Sequence, residues 1–212
     1  SVGAVMAICG AVAAVLIDTT DLSPFVVIAI SLGAGLLCGL WNGVLVAVFD
    51  IQPFIATLIL MVVGRGIAQL ITEGQIAIFN NPTLEFVGKG VVAGLPFRIL
   101  LSAFVCIVLF LFVRRTAIGL LLEAVGSNDR ASYYTGIDAR SIKLLAYVIS
   151  GLCAAIAGLI ITADIKGADA NNAGLWLELD AVLAVVIGGT LLTGGRFYLG
   201  LRVIGALLIQ SI

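Results

Sequence analysis

Apolar runs of membrane-crossing length recur along the chain, separated by short polar stretches. Residues 2–17 form the first run. The turn Asp18-Thr19-Thr20-Asp21-Leu22-Ser23-Pro24 follows, with Pro24 suited to the first turn of the next helix. Residues 25–48 and 54–71 are the second and third runs, joined by Asp50-Ile51-Gln52-Pro53. Residues 97–113 and 144–163 are the fourth and fifth. A helix of about 18 or more apolar residues reaches across the hydrocarbon core. Residues 176–192 and 197–212 are also apolar, so the pattern predicts an all-α, polytopic transmembrane bundle of about seven spans or part-spans. Gly33, Gly35, Gly39 and Gly43 punctuate the second run and predict close helix contact.

The polar segments are of four kinds. Residues 72–96 form the longest irregular stretch, with an Asn-Asn-Pro turn signal, and cannot lie in hydrocarbon unless shielded, because their backbone groups would go unpaired. Residues 114–143 hold five of the eleven basic residues. Residues 164–174 read as a polar, Asn-rich loop, and residues 193–196 as a tight Gly-Gly turn. If 114–143 is cytoplasmic, alternation puts Arg196 and Arg202 on the same side, seven basic residues in all, against Lys89, Arg98 and Lys166 opposite. The long 72–96 segment and the 164–174 loop then face outward. Ser1 opens directly into an apolar helix with no charged leader, and Ile212 ends inside an apolar run, which predicts a fragment lacking helices at both ends.

Composition sharpens the class. Apolar residues make up 62% of the chain and charged residues 11%, against about half and about a quarter in soluble domains. That much apolar surface cannot be hidden from water by a soluble fold of this length. Net charge is −1, and no basic patch carries interleaved aromatics, so nucleic acid is not an expected partner; membrane lipid is. Cys9, Cys38, Cys106 and Cys153 all lie in apolar stretches without CxxC spacing and read as small buried hydrophobes rather than a metal or redox site.

Missing residue types exclude much chemistry. The chain has no histidine, which removes Ser-His and Cys-His nucleophile pairs and HExxH zinc sites. It has no GxxxxGK[ST] loop, so ATP hydrolysis is not expected of it, and no cofactor or metal is expected on it. A transport subunit or a structural membrane subunit remains, rather than an enzyme.

Several residues stand out. The stretch from Glu123 to Asp138, reading EAVGSNDRASYYTGID, is amphipathic and lies between two spans on the basic side. Asn128 or Ser127 can cap a short helix there and Gly136 can end it. The stretch is either a docking element for a partner or an ordinary solvated loop. Arg65 sits well inside an apolar run, where a charge is expensive; it either pairs or lines a pathway, or else snorkels to the headgroups. Asn42 and Gln69 fit interhelical hydrogen bonds. Glu178 and Asp180 open an apolar helix, as dipole-matched charges or as sugar-binding or gating groups near the outside. Trp176 beside them suits either an interfacial belt or stacking on a sugar ring. Asn171 and Asn172 fall in the outer loop and either touch a delivering protein or turn the chain.

The Glu123–Asp138 stretch resembles the coupling loop of ABC importer permeases of the ribose, xylose and galactose class, whose pattern is A-x-G-x-N-x-x-A-A-x-x-x-G-I. Ala124, Gly126, Asn128, Ala131, Gly136 and Ile137 match, and Ser132 replaces the second Ala. Ser1-Val2-Gly3-Ala4, Asn42-Gly43, the run Pro53-Phe54-Ile55-Ala56-Thr57-Leu58, Arg65-Gly66, Glu178-Leu179-Asp180-Ala181 and Val186–Thr190 follow in the family's order. The resemblance covers essentially the whole chain. Residues 167–176 are most similar to the galactofuranose branch, as is the replaced glycine after Gly194-Gly195-Arg196. The family's first helices are missing.

The resemblance implies a single permease domain over 1–212, with residues 114–143 as its cytoplasmic coupling loop. It implies sugar import by alternating access in a bacterial inner membrane. The implied partners are a cytoplasmic ATPase that binds ATP-Mg and docks on Glu123, Ala124, Gly126, Asn128, Ala131 and Gly136, a second permease subunit, identical or paralogous, and a periplasmic sugar-binding protein. Candidate pathway residues are Asn42, Thr57, Arg65, Gln69, Asn171, Asn172, Trp176, Glu178 and Asp180. An ion-gradient transporter or channel is the alternative.

Overall fold

The computed structural model describes residues 1–20, 22–92, 94–188 and 199–210. Among these, five helices are long and apolar enough to cross a membrane: α1 (Val2–Thr19), α2 (Pro24–Ala47), α3 (Pro53–Ile71), α5 (Phe97–Arg115) and α8 (Ala139–Ile165). Each begins where a local signal allows. Proline stands in the first turn of α2 and α3, where its missing N–H costs nothing. The α8 helix starts at Ala139, ahead of the apolar run at 144, because the Asp138 carboxylate accepts the Arg140 N–H at 3.2 Å and so caps it.

α1 is the centre of the bundle. Residues 3–11, Ala13 and Ala14 are buried on it, and α2, α3 and α8 surround it. Its mixture of Gly, Ala and Cys leaves no broad polar face, as expected of a helix enclosed on all sides. The Ser31 hydroxyl of α2 donates to the Cys9 carbonyl at 2.7 Å, a side-chain bond across the interior.

The α2–α8 contact is the most extensive in the molecule. Gly35, Gly39 and Gly43 lie along the α2 side, facing Ala155, Gly151, Tyr147 and Leu144 of α8. A β-carbon at Gly39 would sit 2.6 Å from the Tyr147 carbonyl oxygen, and one at Gly151 would press on Gly35 and Gly39. Lipid is as apolar as leucine, so helices in a membrane associate through close backbone packing, which small residues permit. Gly158 continues the seam onto α1, where an added β-carbon would sit 2.6 Å from the Met6 carbonyl oxygen.

One end of the bundle carries an elaborate cap. Residues 72–96, expected to be irregular, hold β1 (Ala77–Ile78), α4 (Pro82–Lys89), β2 (Val91–Val92) and β3 (Leu95–Pro96). Asn81 caps α4 by accepting the Thr83 N–H at 3.1 Å, with Pro82 as the first residue of the helix. β1 pairs antiparallel with β4 (Gly167–Ala168), and β2 with β3. Two ion pairs fasten this end: Lys166, just after α8, to Glu85 of α4 at 2.6 Å, and Arg98 of α5 to Asp164 of α8 at 2.8 Å. The opposite end carries α6 (Ala117–Ser127) and α7 (Asp129–Tyr134). Lys89, Arg98 and Lys166 thus share the cap end, while Arg114, Arg115, Arg140 and Lys143 share the α7 end, the segregation that the charge pattern anticipates.

The last two expected spans appear as shorter helices, α9 (Leu177–Ile187) and α10 (Leu199–Gln210), which pack on each other through Ala184 and Gly205. The expected Gly-Gly turn at 193–196, Gly189, Thr190, Phe197 and the chain's last two residues fall outside the described residues.

The glycine seam gives a direct expectation. Gly39→Leu or Gly151→Leu will cost about 1–3 kcal/mol by overpacking and lower the melting midpoint in detergent. Gly33→Leu, on α2 but with no atom within 4 Å of an added β-carbon, will leave it nearly unchanged.

Candidate functional site

The segment after β4 does not stay at the cap. Ala168 clusters with Ala14 of α1, Ala170 with Ala7, Ile8 and Ala11, and Gly174 lies against Gly3. From Ala14 to Gly3 is eleven helical positions, so the segment descends about 16 Å along α1, at 1.5 Å per residue. That is about half of a hydrocarbon core. Residues 164–174, expected to be a polar, Asn-rich loop at the outer face, therefore comprise the end of α8, β4 and, from Asp169, a re-entrant passage. Hydropathy reports composition, and the segment's small residues let it fit beside the equally small α1.

Non-helical backbone at this depth must find its hydrogen bonds within the protein, and the carbonyls from Asp169 to Gly174 all do. The carbonyls of Asp169, Asn172 and Gly174 accept the N–H groups of Ala173, Leu175 and Leu177. Those of Ala170, Asn171 and Ala173 accept the Arg65 guanidinium, with 3.4 Å to Ala170 and 3.1 Å to Ala173. On the donor side, the Asp169 carboxylate takes the N–H groups of Asn171 and Asn172 at 3.0 and 3.2 Å, and the Asn172 amide at 2.7 Å. Gln69, one turn above Arg65 on α3, donates to the Asn171 side-chain oxygen at 2.6 Å. Sequence inspection passed over Asp169, although Asp-Ala-Asn-Asn is a recognisable Asx-turn signal.

The passage ends in a sharp turn. Gly174 has φ 66°, and Trp176 has φ 69°, a left-handed conformation that costs a non-glycine residue about 1–2 kcal/mol. α9 starts immediately afterwards. Its Glu178 carboxylate accepts the Gly3 N–H at 3.0 Å and lies 3.3 Å from the Ser1 nitrogen. Glu178 therefore joins α9 to the main chain of α1 besides standing in the first turn of its own helix. Trp176 and Asp180 are exposed.

The remaining pathway candidates are dispersed. Asn42 is buried on α2 and its side-chain oxygen has no hydrogen-bond partner among the described residues, while Gln69 bonds the non-helical segment, so neither makes the interhelical bond expected of it there. The Thr57 hydroxyl turns back to the Phe54 carbonyl of its own helix at 3.0 Å. Arg65, Gln69, Asn171 and Asn172 are brought together; Asn42 and Thr57 do not join them.

At the other end, Glu123, Ala124 and Gly126 lie on α6, and Asn128 caps α7 by accepting the Ala131 N–H at 3.0 Å. Gly136 ends the turn with φ 82°, as its position after the short helix suggests. Asp129 pairs with Lys143 of α8, tying α7 to the span it precedes. Tyr133 and Tyr134 stand exposed beside a groove of about 520 Å3 that also touches Asp50, Asp138 and Arg140. The Ser141 hydroxyl, with the Arg140 N–H, holds the Asp138 carboxyl below its ordinary range. This depressed pKa favours the fold above the unfolded value of about 3.9, and the contribution disappears as pH falls through the folded value.

A family model described as the permease component of branched-chain amino acid transport systems matches residues 1–212. The chain belongs to this family. Its five long apolar helices fit a multi-pass membrane protein of that family. The permease is 58% identical to the galactofuranose transporter permease protein of Escherichia coli (strain K12) over 100% of this chain and 62% of that protein. It is 43% identical to a fructose import permease protein of Bifidobacterium longum, over 100% of this chain and 60% of that one. It is 39% identical to a ribose import permease protein of Haemophilus influenzae, over 99% and 65%. The chain thus spans about three fifths of the length of these relatives. No solved structure matches it.

Removing the α7 cap has a measurable consequence for this permease. Asn128→Ala will cost about 1 kcal/mol of local helix stability. Amide hydrogen exchange at residues 131–134 will then speed up about fivefold, with α8 exchange unchanged.

Proposed function

We propose that this permease forms part of the membrane pathway of an ATP-driven monosaccharide importer in a bacterial plasma membrane, with galactofuranose as the foremost substrate. The observation that carries the proposal is collinear 58% identity to a galactofuranose permease over the whole chain. The chain lacks a phosphate-binding loop, so ATP and its Mg2+ belong to a separate cytoplasmic subunit.

That ATPase would dock on the α6–α7 end, at Glu123, Ala124, Gly126, Asn128, Ala131 and Gly136. The exposed Tyr133 and Tyr134 suit such a role, since large amphipathic rings are favoured at interfaces. A periplasmic sugar-binding protein would meet the cap end, and a second permease subunit would complete the pathway. ATP can drive the cycle only through different affinities of the ATPase for the two permease conformations.

The re-entrant turn supports a sugar pathway beside it. A sugar offers hydroxyls that both donate and accept, plus an apolar ring face. The turn presents the exposed amides of Asn171 and Asn172, the exposed Trp176 indole, and the carboxylates of Glu178 and Asp180. The buried Asn42 oxygen is a further acceptor.

The test is uptake by the full-length permease reconstituted with its ATPase and binding protein. Uptake of galactofuranose should require ATP and exceed that of ribose and fructose. Gly126 and Asn128 variants should uncouple ATPase stimulation from sugar. Uptake that survives ATP depletion but collapses with the proton gradient would replace this reading with an ion-driven carrier. Normal coupling in both variants would remove α6–α7 from the mechanism.

A further inference from the structure

We infer that Arg65 is a positioning residue for the re-entrant segment: its guanidinium fixes the path of residues 169–176 through main-chain carbonyls, and it neither binds the transported molecule nor merely carries a charge toward the membrane surface. Three observations carry this. The carbonyls that Arg65 takes, Ala170, Asn171 and Ala173, are those that no backbone N–H takes among the described residues. Together with the internal turns they account for every carbonyl from Asp169 to Gly174. Two backbone donors of the same segment, the N–H groups of Asn171 and Asn172, meet the Asp169 carboxylate, so a cation and an anion each hold part of its main chain.

The chemistry of the group fits the task. Guanidinium is planar, permanently charged and carries several N–H donors in a fixed fork, so it can serve carbonyls on successive residues of a curved segment. An ammonium is a compact point charge on a flexible stem and cannot hold the same spread of acceptors. Depth fits too. Ala68 and Gly64 of α3 bracket Arg65 and pack on α1 around Ala7, Ile8, Ala11 and Ala4, the stretch that the segment follows. A charge that only reached for headgroups would point along α3 toward its end, not across to these carbonyls.

The consequence is specificity at a distance. Trp176 and Gly174 hold left-handed backbone at the foot of the segment, and such conformations persist only where the surroundings fix them. Arg65 supplies that restraint one to two turns above. Loosening it will misplace Trp176 and Asn171 without removing either.

The experiment uses the full-length permease in native membranes, with its cysteines replaced and a nitroxide attached at Leu175→Cys, an exposed position whose side chain makes none of the segment's hydrogen bonds. Arg65→Gln and Arg65→Lys should both convert an immobilised nitroxide spectrum to a mobile one, and Asp169→Asn should do so in part. Arg114→Gln, on the far end of α5, should not. In reconstituted complexes both Arg65 variants should lower maximal uptake about tenfold, the scale of losing hydrogen bonds to a charged group, and lysine should rescue nothing. The spectrum is read without transport, so it stands even if the sugar-import reading fails. A parent-like spectrum in Arg65→Gln overturns the inference, and so does full rescue by lysine in both readouts. If Arg65→Gln does not accumulate, Arg65→Lys decides alone: a mobile nitroxide supports the inference and a parent-like one ends it.

Discussion

A strand of irregular backbone inside an apolar bundle must have every polar group paired, and the site of this permease is arranged around meeting that demand. In hydrocarbon an unpaired amide or carbonyl costs several kcal/mol. Helices escape by pairing internally. The passage at residues 169–176 cannot, and its carbonyls are shared between its own turns and Arg65. The apparent extravagance of an arginine in an apolar span is therefore balanced locally. Its charge meets three carbonyl dipoles, and Asp169 stands across the segment on the donor side.

Room for that passage comes from the smallness of its neighbours. α1 presents Gly3, Ala7 and Ala11 to it, and the segment answers with Ala168, Ala170 and Gly174. Any larger residue along this line would push the chain outward and carry the carbonyls out of reach of Arg65. The glycine seam between α2 and α8 follows the same logic on the other side of α1. Small residues here set the distances, and polar residues then use them.

Much of this was legible in the sequence. The five long helices follow from apolar run length, with ends moved by a turn or so where Asp138 or a proline decided the start. The Asn128 cap and the Gly136 turn follow from residue chemistry alone. Arg65 announced itself by its cost, and Gln69 by polarity on an apolar helix. Their partners did not, because those partners are main-chain atoms or a distant loop, and main-chain carbonyls have no letter in a sequence. The course of residues 164–174 was hidden for a related reason. Asp, Asn and Gly signal a turn, but they do not say how deep in the membrane the turn lies. The bond from the Gly3 N–H to Glu178 joins residues 175 positions apart, which only the fold reveals.

The two functional ends share one rigid connector. α8 runs unbroken for 27 residues, about 40 Å at 1.5 Å per residue, from the Asp138 cap beside α7 to the strand that opens the re-entrant passage. It contains no proline to absorb a bend. If α7 moves, the Asp129–Lys143 pair carries that motion to α8. The surface it would slide on is the glycine seam, where few side chains interlock and small displacements meet little steric resistance. The far end of that movement is Lys166 and β4, whose backbone continues into the carbonyls that Arg65 holds from α3. Arg65 of α3 and the strand that follows α8 thus meet in one segment, so main-chain hydrogen bonds as well as apolar packing join these two helices.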